Sequence, residues 1–350
     1  MNNKKIAMSE IVGNAALRER LCNDIMSDSL SHAYIIEGPD GSGKHLIALM
    51  TAAALSCENK RDPNMPLPCL NCPTCKKILD LKSPDVIFQG TEGKATFGVA
   101  LSRFLKEDVY TVPNDLEHKV YILEDADKMT AQAQNALLLT LEEPPSFIHF
   151  FLLCKNSSAF LETIRSRAPV LKTEPIPEDS LAEYICKHDR RAAQMQLSDP
   201  KEFRELIKEA KGGIGKAISF LEPNAWKPVK ELRQTTEEFI RLALVNKNVT
   251  ELLALMQKII GKKDGVRDTL NEQLYSISNA VRDLVALKKC DSPALLFFSD
   301  FDKAFELSDS VGLSFLFNLE NAIYTAIDEN KKNANVKLLI TKMLISAELL

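Results

Sequence analysis

The chain has 350 residues, a length that favours two or three domains over one compact core. It is 45% hydrophobic, 7% aromatic and 26% charged, which is typical of helix-rich globular proteins rather than disordered or fibrous ones. The formal net charge of -4 argues against wrapping a nucleic-acid backbone as the main task, because such binding needs a concentrated basic surface.

The sequence shows no sign of a membrane segment. No apolar stretch follows the basic residues Lys4 and Lys5, and no run approaches the roughly 18 apolar residues that a spanning helix requires. We therefore expect a cytoplasmic protein with no membrane partner.

The first half of the chain alternates between helical and strand patterns. Leu17, Leu21 and Ile25 lie four residues apart and predict an amphipathic helix within 14–28. Short apolar runs predict strands at 33–37, 85–88, 119–123 and 148–154, with helices opening at Lys44 and covering 129–141. This alternation predicts an α/β fold, a parallel sheet with helices on both faces.

Beyond Glu178 the strand signals disappear and short helical patterns follow, broken by "GGIG" at 212–215, which predicts a small helical lid. Pro223 and Pro228 bracket the single tryptophan and predict a linker into a third, all-helical domain. There a long helix carries one apolar stripe, formed by Val266, Leu270, Leu274, Ile277, Val281 and Leu284. The stripe fits the core of a helical bundle, and a partner interface remains the alternative.

Residues 38–45 read "GPDGSGKH" and nearly satisfy the phosphate-loop pattern G-x-x-x-x-G-K-[ST] between a strand and a helix. Glycines let backbone N–H groups surround phosphate oxygens, the lysine adds a positive charge, and the helix adds its positive end. His45 stands where a hydroxyl would bind Mg²⁺, and imidazole is a poor ligand for that ion. We expect weak binding of ATP/Mg²⁺ at Gly38, Gly41, Gly43, Lys44 and His45. An ordinary glycine-rich turn is the alternative.

An acidic pair, Glu124 and Asp125, ends the strand "KVYIL". ATPases with a phosphate loop place one carboxylate here on magnesium and a second beside the attacking water. The usual order is Asp then Glu, and here it is reversed. The pair is therefore a candidate catalytic element whose intrinsic ATP hydrolysis is doubtful, with helix capping by Asp125 or Asp127 as an additional role.

The eight cysteines are unevenly distributed. Four cysteines lie singly in apolar contexts and are most simply interpreted as small core residues: Cys22, Cys154, Cys186 and Cys290. Cys57, Cys69, Cys72 and Cys75 fall in a segment with four prolines, and two C-x-x-C turns share Cys72. Four thiolates at this spacing predict a structural Zn²⁺ module at 57–75, with four unrelated reduced thiols as the alternative.

Several features in fixed order carry a family resemblance: the phosphate loop preceded by "SHAYIIEG", the four-cysteine insertion, "EDADKMTAQAQNALLLTLEEPP" at 124–145, and "TIRSRAPVLK". The chain resembles the clamp-loader subunits of bacterial DNA polymerase III, which belong to the AAA+ superfamily. The altered His45, the reversed acidic pair and "GGIGKA" in the lid make it more similar to delta prime than to gamma/tau subunits. The terminal "NANVKLLITKMLI" is similar to the last collar helix of delta prime.

This resemblance implies three domains: an AAA+ nucleotide-binding domain at 1–173, a helical lid at 174–225 and a collar for oligomerisation at 226–350. It also implies roles for single residues. Ser166 and Arg167 match the serine and arginine of the family's S-R-C motif, with Ala168 replacing the cysteine, so Arg167 would reach the ATP site of a neighbouring subunit. The alternative is that Arg167 pairs with a carboxylate within its own domain. Asn156 would sense the terminal phosphate, or only cap a strand end, and Lys216 would reach phosphate from the lid.

The implied function is that of a clamp-loader subunit with weak or no ATPase activity. Its partners would be the gamma/tau and delta subunits in a hetero-oligomeric ring and, through the complex, the sliding clamp and primed DNA. A gamma/tau-type ATPase motor is the alternative. A nucleic-acid-binding zinc module is disfavoured, because the cysteine cluster lacks surrounding aromatics and a dense basic surface.

Overall fold

The computed structural model describes residues 8, 11–62, 64–90, 104, 107–246, 248–260 and 266–349. The remaining residues of the predicted domains 1–173 and 226–350 lie outside the described residues. The chain forms two compact units. The first comprises Met1–Ala193 and Ala210–Ile218, and the second comprises Gln194–Glu209 and Ser219–Leu350. The boundaries predicted at 173/174 and 225/226 stay predictions.

The described part of the first unit contains a five-stranded parallel sheet. Its strands are β1 Ala33–Glu37, β2 Val86–Gln89, β3 Lys119–Leu123, β4 Ile148–Cys154 and β5 Val170–Lys172, in the spatial order β2-β3-β4-β1-β5. The first four strands were predicted from sequence. The short β5 was not, because three residues are too few for a periodic signal.

Helices cover both faces of this sheet, as predicted. They are α1 Ala15–Met26, α2 Lys44–Leu55, α3 Pro73–Leu79, α4 Ala131–Glu142 and α5 Glu162–Arg165. Four further helices follow the sheet along the chain: α6 Glu178–His188, α7 Arg190–Ser198, α8 Pro200–Ala210 and α9 Ile214–Phe220. Because side chains alternate along a strand, Ile36 and Phe151 pack with α1 and α2, whereas Ile35 and Phe150 pack with α4 and α5. The fold class is thus a parallel α/β sheet followed by a helical region.

The second unit consists of helices and the loops between them, with no strand among its described residues. Its further helices are α10 Pro223–Ile240, α11 Val249–Ile260, α12 Val266–Lys289, α13 Phe301–Asp309, α14 Leu313–Lys331 and α15 Val336–Ser346, and a π-helical turn, Arg241–Asn246, follows α10. The predicted stripe on α12 is buried from Leu270 to Leu284 in one core with α14 and α15. The bundle-core interpretation is confirmed for these positions. None of the described helices is both long and apolar enough to cross a bilayer.

The linker predicted around the tryptophan is wrong. Pro223 is the first residue of α10, a position whose backbone N–H would have no acceptor within the helix, so proline costs no hydrogen bond there. Pro228 lies within the same helix. Trp226 is buried and donates from Nε1 to Glu202 Oε1 at 2.7 Å. Pro223 therefore starts a helix, and Pro228 is accommodated inside it.

Asp85 anchors the loop before β3. Its carboxylate is fully buried and accepts four hydrogen bonds, two from the backbone and side-chain nitrogens of Asn114 and one each from the backbone N–H groups of Asp115 and Leu116, at 2.7 to 3.1 Å. Burial alone would raise its pKa, but these donors outweigh burial and lower it. The folded state therefore stabilises the ionised form of the Asp85 carboxyl group.

We predict that Asp85→Asn lowers the free energy of unfolding by about 2–4 kcal/mol at neutral pH, because an amide NH₂ would face N–H donors. The depressed pKa stabilises the fold above the unfolded value of about 3.9, and this contribution is lost as pH falls through the folded pKa. The variant should therefore lose less stability in acid than the wild type. Urea unfolding at several pH values measures both effects.

The control is Asp291→Asn, an exposed position, where a change within about 0.5 kcal/mol is expected. Equal unfolding midpoints for Asp85→Asn and the wild type at neutral pH would contradict the anchoring role.

Candidate functional site

The carboxyl ends of β1, β3 and β4 meet at one edge of the sheet, because the three strands are parallel and adjacent. A cavity of about 570 Å³ opens at this edge. Six of the predicted residues line it: Gly41, Gly43, Lys44, His45, Glu124 and Asp125. Its other lining residues include the apolar Ile11, Val12, Ile176, Tyr184 and Ile214 and, after β4, Cys154 and Lys155. The cavity therefore has an apolar wall and a charged one.

The predicted phosphate loop has the backbone that its glycines allow. Gly41 and Gly43 have φ of 78° and 87°, and Gly43 is the N-cap of α2. At Gly38 a Cβ atom would lie 1.8 Å from Oγ1 of Thr173, so only glycine fits there. Thr173 in turn lies 2.8 Å from Ser42, hydroxyl to hydroxyl, which ties the loop to the residue after β5.

The side chain of Lys44 is folded onto its own loop. Its ammonium donates to the carbonyl oxygens of Gly38 at 2.6 Å and Pro39 at 2.7 Å. Burial lowers its pKa, the carboxylate of Asp40 opposes that change, and the charge of Lys155 adds to it. The charge that a phosphate would need is thus present and is held by backbone oxygens.

His45 and Glu124 contact each other directly, Nδ1 to Oε1. The imidazole also stacks on the ring of Phe88, with centroids 5.0 Å apart and planes 10° apart. A phosphate loop of the usual kind would offer Mg²⁺ a hydroxyl and a short carboxylate at these two positions. An imidazole bound to the longer carboxylate does not fit a hard cation that requires oxygen ligands in an octahedron.

Two further ion pairs lie at the cavity. Asp125 has a φ of 50° and accepts from the ammonium of Lys128 at 2.9 Å. Lys155, which the sequence interpretation missed, donates to Asp40 of the phosphate loop at 2.6 Å. This hydrogen bond raises the pKa of Lys155. A lysine directly after a buried strand that ends beside the phosphate loop was the available signal.

Asn156 and Lys216 are placed differently from the lining residues. Asn156 Oδ1 accepts from the backbone N–H of Ser158 at 2.9 Å and so caps the short turn after β4, as the capping alternative expects. The backbone nitrogen and Cβ of Lys216 lie close to Gly41, where a Cβ atom would be 3.1 Å from each. The phosphate-contacting roles of both residues stay predictions.

Arg167 lies just after α5 and is partly exposed. Its guanidinium donates to Glu142 Oε1 at 3.2 Å and to the carbonyl of Thr163 at 3.1 Å. Surface pairs of this kind contribute about 0–1 kcal/mol, so the arginine can leave its partner at little cost. A role towards a neighbouring subunit stays a prediction.

The four clustered cysteines form a buried group. The sulfur atoms of Cys57, Cys69, Cys72 and Cys75 all lie within 4.8 Å of one another. Four thiolates around a tetrahedral zinc ion would stand about 3.8 Å apart, for bond lengths of about 2.3 Å. The cluster can therefore hold one metal ion after a small contraction.

Backbone donors surround the sulfurs as they would surround bound thiolates. The N–H groups of Cys69, Cys72 and Cys75 point to the sulfurs of Cys57, Cys69 and Cys72 at 3.3 to 3.5 Å. Burial would raise the pKa of Cys69, but the N–H groups of Cys72 and Asn71 outweigh it and lower the pKa to about 6. Burial in the same cluster raises the pKa of Cys57 and of Cys75.

Comparisons with known proteins show what this chain is similar to. A family model described as "DNA polymerase III, delta subunit" matches residues 13–177. The tau subunit of Bacillus subtilis DNA polymerase III is 30% identical over 213 residues, which are 61% of this chain and 37% of that protein. The delta prime subunit of the same organism is 33% identical over 170 residues, covering 48% and 50%. The chain thus spans about half the length, or less, of these relatives.

A solved structure of a gamma subunit-related protein from Thermotoga maritima matches with a TM-score of 0.45 and 20% identity, over 94% of this chain and 98% of that one. Gamma and gamma/tau subunits of further bacteria are 26 to 31% identical. Over the residues that these matches cover, the chain is thus similar to the gamma/tau and delta prime subunits of bacterial DNA polymerase III.

Proposed function

We propose that this chain is a non-motor subunit of the clamp loader, with weak or no ATPase activity of its own. In a hetero-oligomeric ring with gamma/tau and delta subunits, in the cytoplasm, it would help to open the sliding clamp and load it on primed DNA. The contact between His45 and Glu124 carries this proposal. It joins the side chains at the two positions that bind magnesium in a phosphate loop of the usual kind.

The charge pattern of the cavity supports weak turnover. Hydrolysis needs a metal between the phosphates and a carboxylate beside the attacking water. Glu124 is engaged by His45, and the shorter Asp125 accepts from Lys128. In the isolated chain, therefore, neither carboxylate is free to bind the metal or to position the attacking water.

Arg167 supports a role exerted on a neighbour. It is partly exposed, and its pair with Glu142 is of the weak, exposed kind. A planar guanidinium matches the charge spread over phosphoryl oxygens in the transition state, which lysine does not. In this proposal Arg167 completes the ATP site of an adjacent motor subunit.

The cysteine cluster supports a structural zinc ion. Four buried sulfurs leave no open coordination position for chemistry, and the surrounding loop has little regular structure apart from α3. The ion would hold the loop together and would take no part in hydrolysis.

A gamma/tau-type motor is the second candidate. The intact Lys44 and the glycine conformations of the phosphate loop favour it, as does the similarity to tau subunits. The ATPase rate of the purified chain separates the two candidates.

We predict that the purified chain hydrolyses ATP far more slowly than a motor subunit. Joint replacement His45→Thr, Glu124→Asp and Asp125→Glu should tighten binding of Mg²⁺·ATP by roughly tenfold, because oxygen ligands replace the imidazole. Titration with a fluorescent ATP analogue and a phosphate-release assay measure these properties. A wild-type turnover on the order of 1 s⁻¹ or faster would identify a motor instead.

We predict about one zinc ion per chain, and its loss in Cys72→Ser, because three thiolates cannot close a structural site. Elemental analysis of the purified proteins measures it. The control is Cys290→Ser, an exposed cysteine outside the cluster, which should keep the metal. Full zinc content in Cys72→Ser contradicts a four-thiolate site.

We predict that Arg167→Ala leaves the chain folded and the loader assembled but removes most of its clamp- and DNA-stimulated ATPase activity. Arginines that act in this way contribute roughly 10³ to 10⁵ in rate when fully engaged. Arg165→Ala, two residues away and also exposed, is the matched control and should retain activity. Phosphate release by the reconstituted complex measures both.

Glu142→Gln separates this role from a local ion pair, because it frees Arg167 without removing it. Retained loader activity in Glu142→Gln with loss in Arg167→Ala supports action in trans. Equal loss of loader activity in the two variants, or an isolated Arg167→Ala chain that does not fold, rejects it.

A further inference from the structure

A cavity of about 520 Å³ lies wholly within the second unit. Residues of α8, α10 and α13 line it, together with the loop before α13. Its volume falls in the range of small-molecule sites. The residues that carry the proposed function all belong to the first unit, so this cavity takes no part in that function.

Arg233 is a buried cation at the wall of this cavity, and its donors are incompletely used. Its Nη1 donates to Glu209 Oε1 at 2.6 Å, and its Nη2 donates to the carbonyl oxygen of Phe297 at 2.8 Å. Its Nε is also buried but has no hydrogen-bond acceptor among the described residues. An unpaired buried donor is unfavourable, so the cavity favours an occupant that supplies an acceptor.

The carboxylate of Glu205 faces the same gap. Its Oε2 lies 3.9 Å from Arg233 Nε, which is too far for a hydrogen bond, and its Oε1 lies 4.0 Å from the ammonium of Lys201. Burial raises the pKa of the Glu205 carboxyl group, the charge of Arg233 opposes that change, and the charge of Glu237 adds to it. A buried donor and a largely buried acceptor therefore stand opposite each other without a direct bond.

A hydroxyl group suits this gap better than a charged group does. It accepts one hydrogen bond and donates another, so an oxygen atom about 2.8 Å from each partner would span the gap. A ligand carboxylate would accept from Arg233 but would be repelled by Glu205. A ligand ammonium would be attracted by Glu205 but would be repelled by Arg233.

The remaining lining favours an apolar body beside that hydroxyl. Ile240, Phe298 and Leu307 line the same cavity. A water molecule can bridge the two charged groups, but it leaves these side chains wet, whereas an apolar body covers them. The buried hydroxyl of Ser299, which has no partner among the described residues either, offers a second polar contact.

We propose that this cavity binds a small organic molecule that carries a hydroxyl group on an apolar body, and that the hydroxyl bridges Arg233 and Glu205. The site is separate from the phosphate loop and from the cysteine cluster. It gives the second unit a ligand of its own.

Three probes with one apolar skeleton test this chemistry: phenethyl alcohol, phenylacetate and phenethylamine. At neutral pH they present a hydroxyl, a carboxylate and an ammonium group. Titration of the full chain, followed by saturation-transfer NMR of each probe, measures the dissociation constants. We expect phenethyl alcohol to bind with a dissociation constant on the order of millimolar, and roughly fivefold or more tightly than either charged probe.

Glu205→Gln tests the bridge while keeping the shape of the side chain. The amide removes the charge that repels a carboxylate, so the preference for phenethyl alcohol over phenylacetate should fall roughly fivefold or more. A merely structural role of Glu205 would leave this preference unchanged. Glu306→Gln is the matched control, at an exposed glutamate of α13 that does not line the cavity, and it should keep the wild-type preference.

Leu307→Trp locates the binding. The indole would fill the cavity and should abolish binding of phenethyl alcohol, while circular dichroism shows whether the chain is folded. Unchanged binding in a folded Leu307→Trp chain would place the probe elsewhere and reject the proposal. If this variant does not fold, the preference measured in Glu205→Gln decides.

Three further outcomes overturn the proposal. Similar affinities of the wild type for the three probes would mean that the hydroxyl is not recognised. No binding of phenethyl alcohol up to its solubility would leave the gap to water alone. An unchanged preference in Glu205→Gln would remove the bridge.

Discussion

The parallel register of three buried strands determines where the chemistry of the first unit can lie. Glu37 at the end of β1 pairs with Cys154 at the end of β4, and Leu123 at the end of β3 pairs with Leu152. The three segments that follow are the phosphate loop, the acidic pair and Lys155, and all of them leave the sheet at the same edge. A slip of one residue would turn the apolar side chains of a strand to the wrong face, so packing holds this arrangement in place.

At that edge the charged groups bind one another. Lys44 is held by loop carbonyls, His45 by Glu124, and Lys155 by Asp40. Each contact is an internal substitute for a contact that phosphate or metal would make. The loop keeps the backbone of a nucleotide site while its side chains are satisfied without one.

Sequence patterns predicted the parts of the structure that depend on local periodicity and spacing. Strands β1 to β4, the helix opening at Lys44 and the proximity of the four cysteines follow from such patterns. The pairing of Arg167 with Glu142 and the anchoring of a loop by Asp85 do not, because each joins residues that are at least 25 positions apart and sit in polar contexts. The error at Pro223 has a different cause, since proline both breaks helices and begins them.

Helix α2 connects the two candidate ligand sites of the first unit. Gly43 caps its first turn at the phosphate loop, while Cys57 follows its last turn and the sulfur of Cys75 lies 3.7 Å from the carbonyl of Ala53. Its residues from Ile47 to Leu55 are all buried, so this part of the helix has no solvated face on which to bend. Twelve residues at about 1.5 Å each form a rod of roughly 18 Å. A change in metal occupancy at one end can reach the phosphate loop only as a movement of the whole rod, and the surrounding core resists that movement along its length.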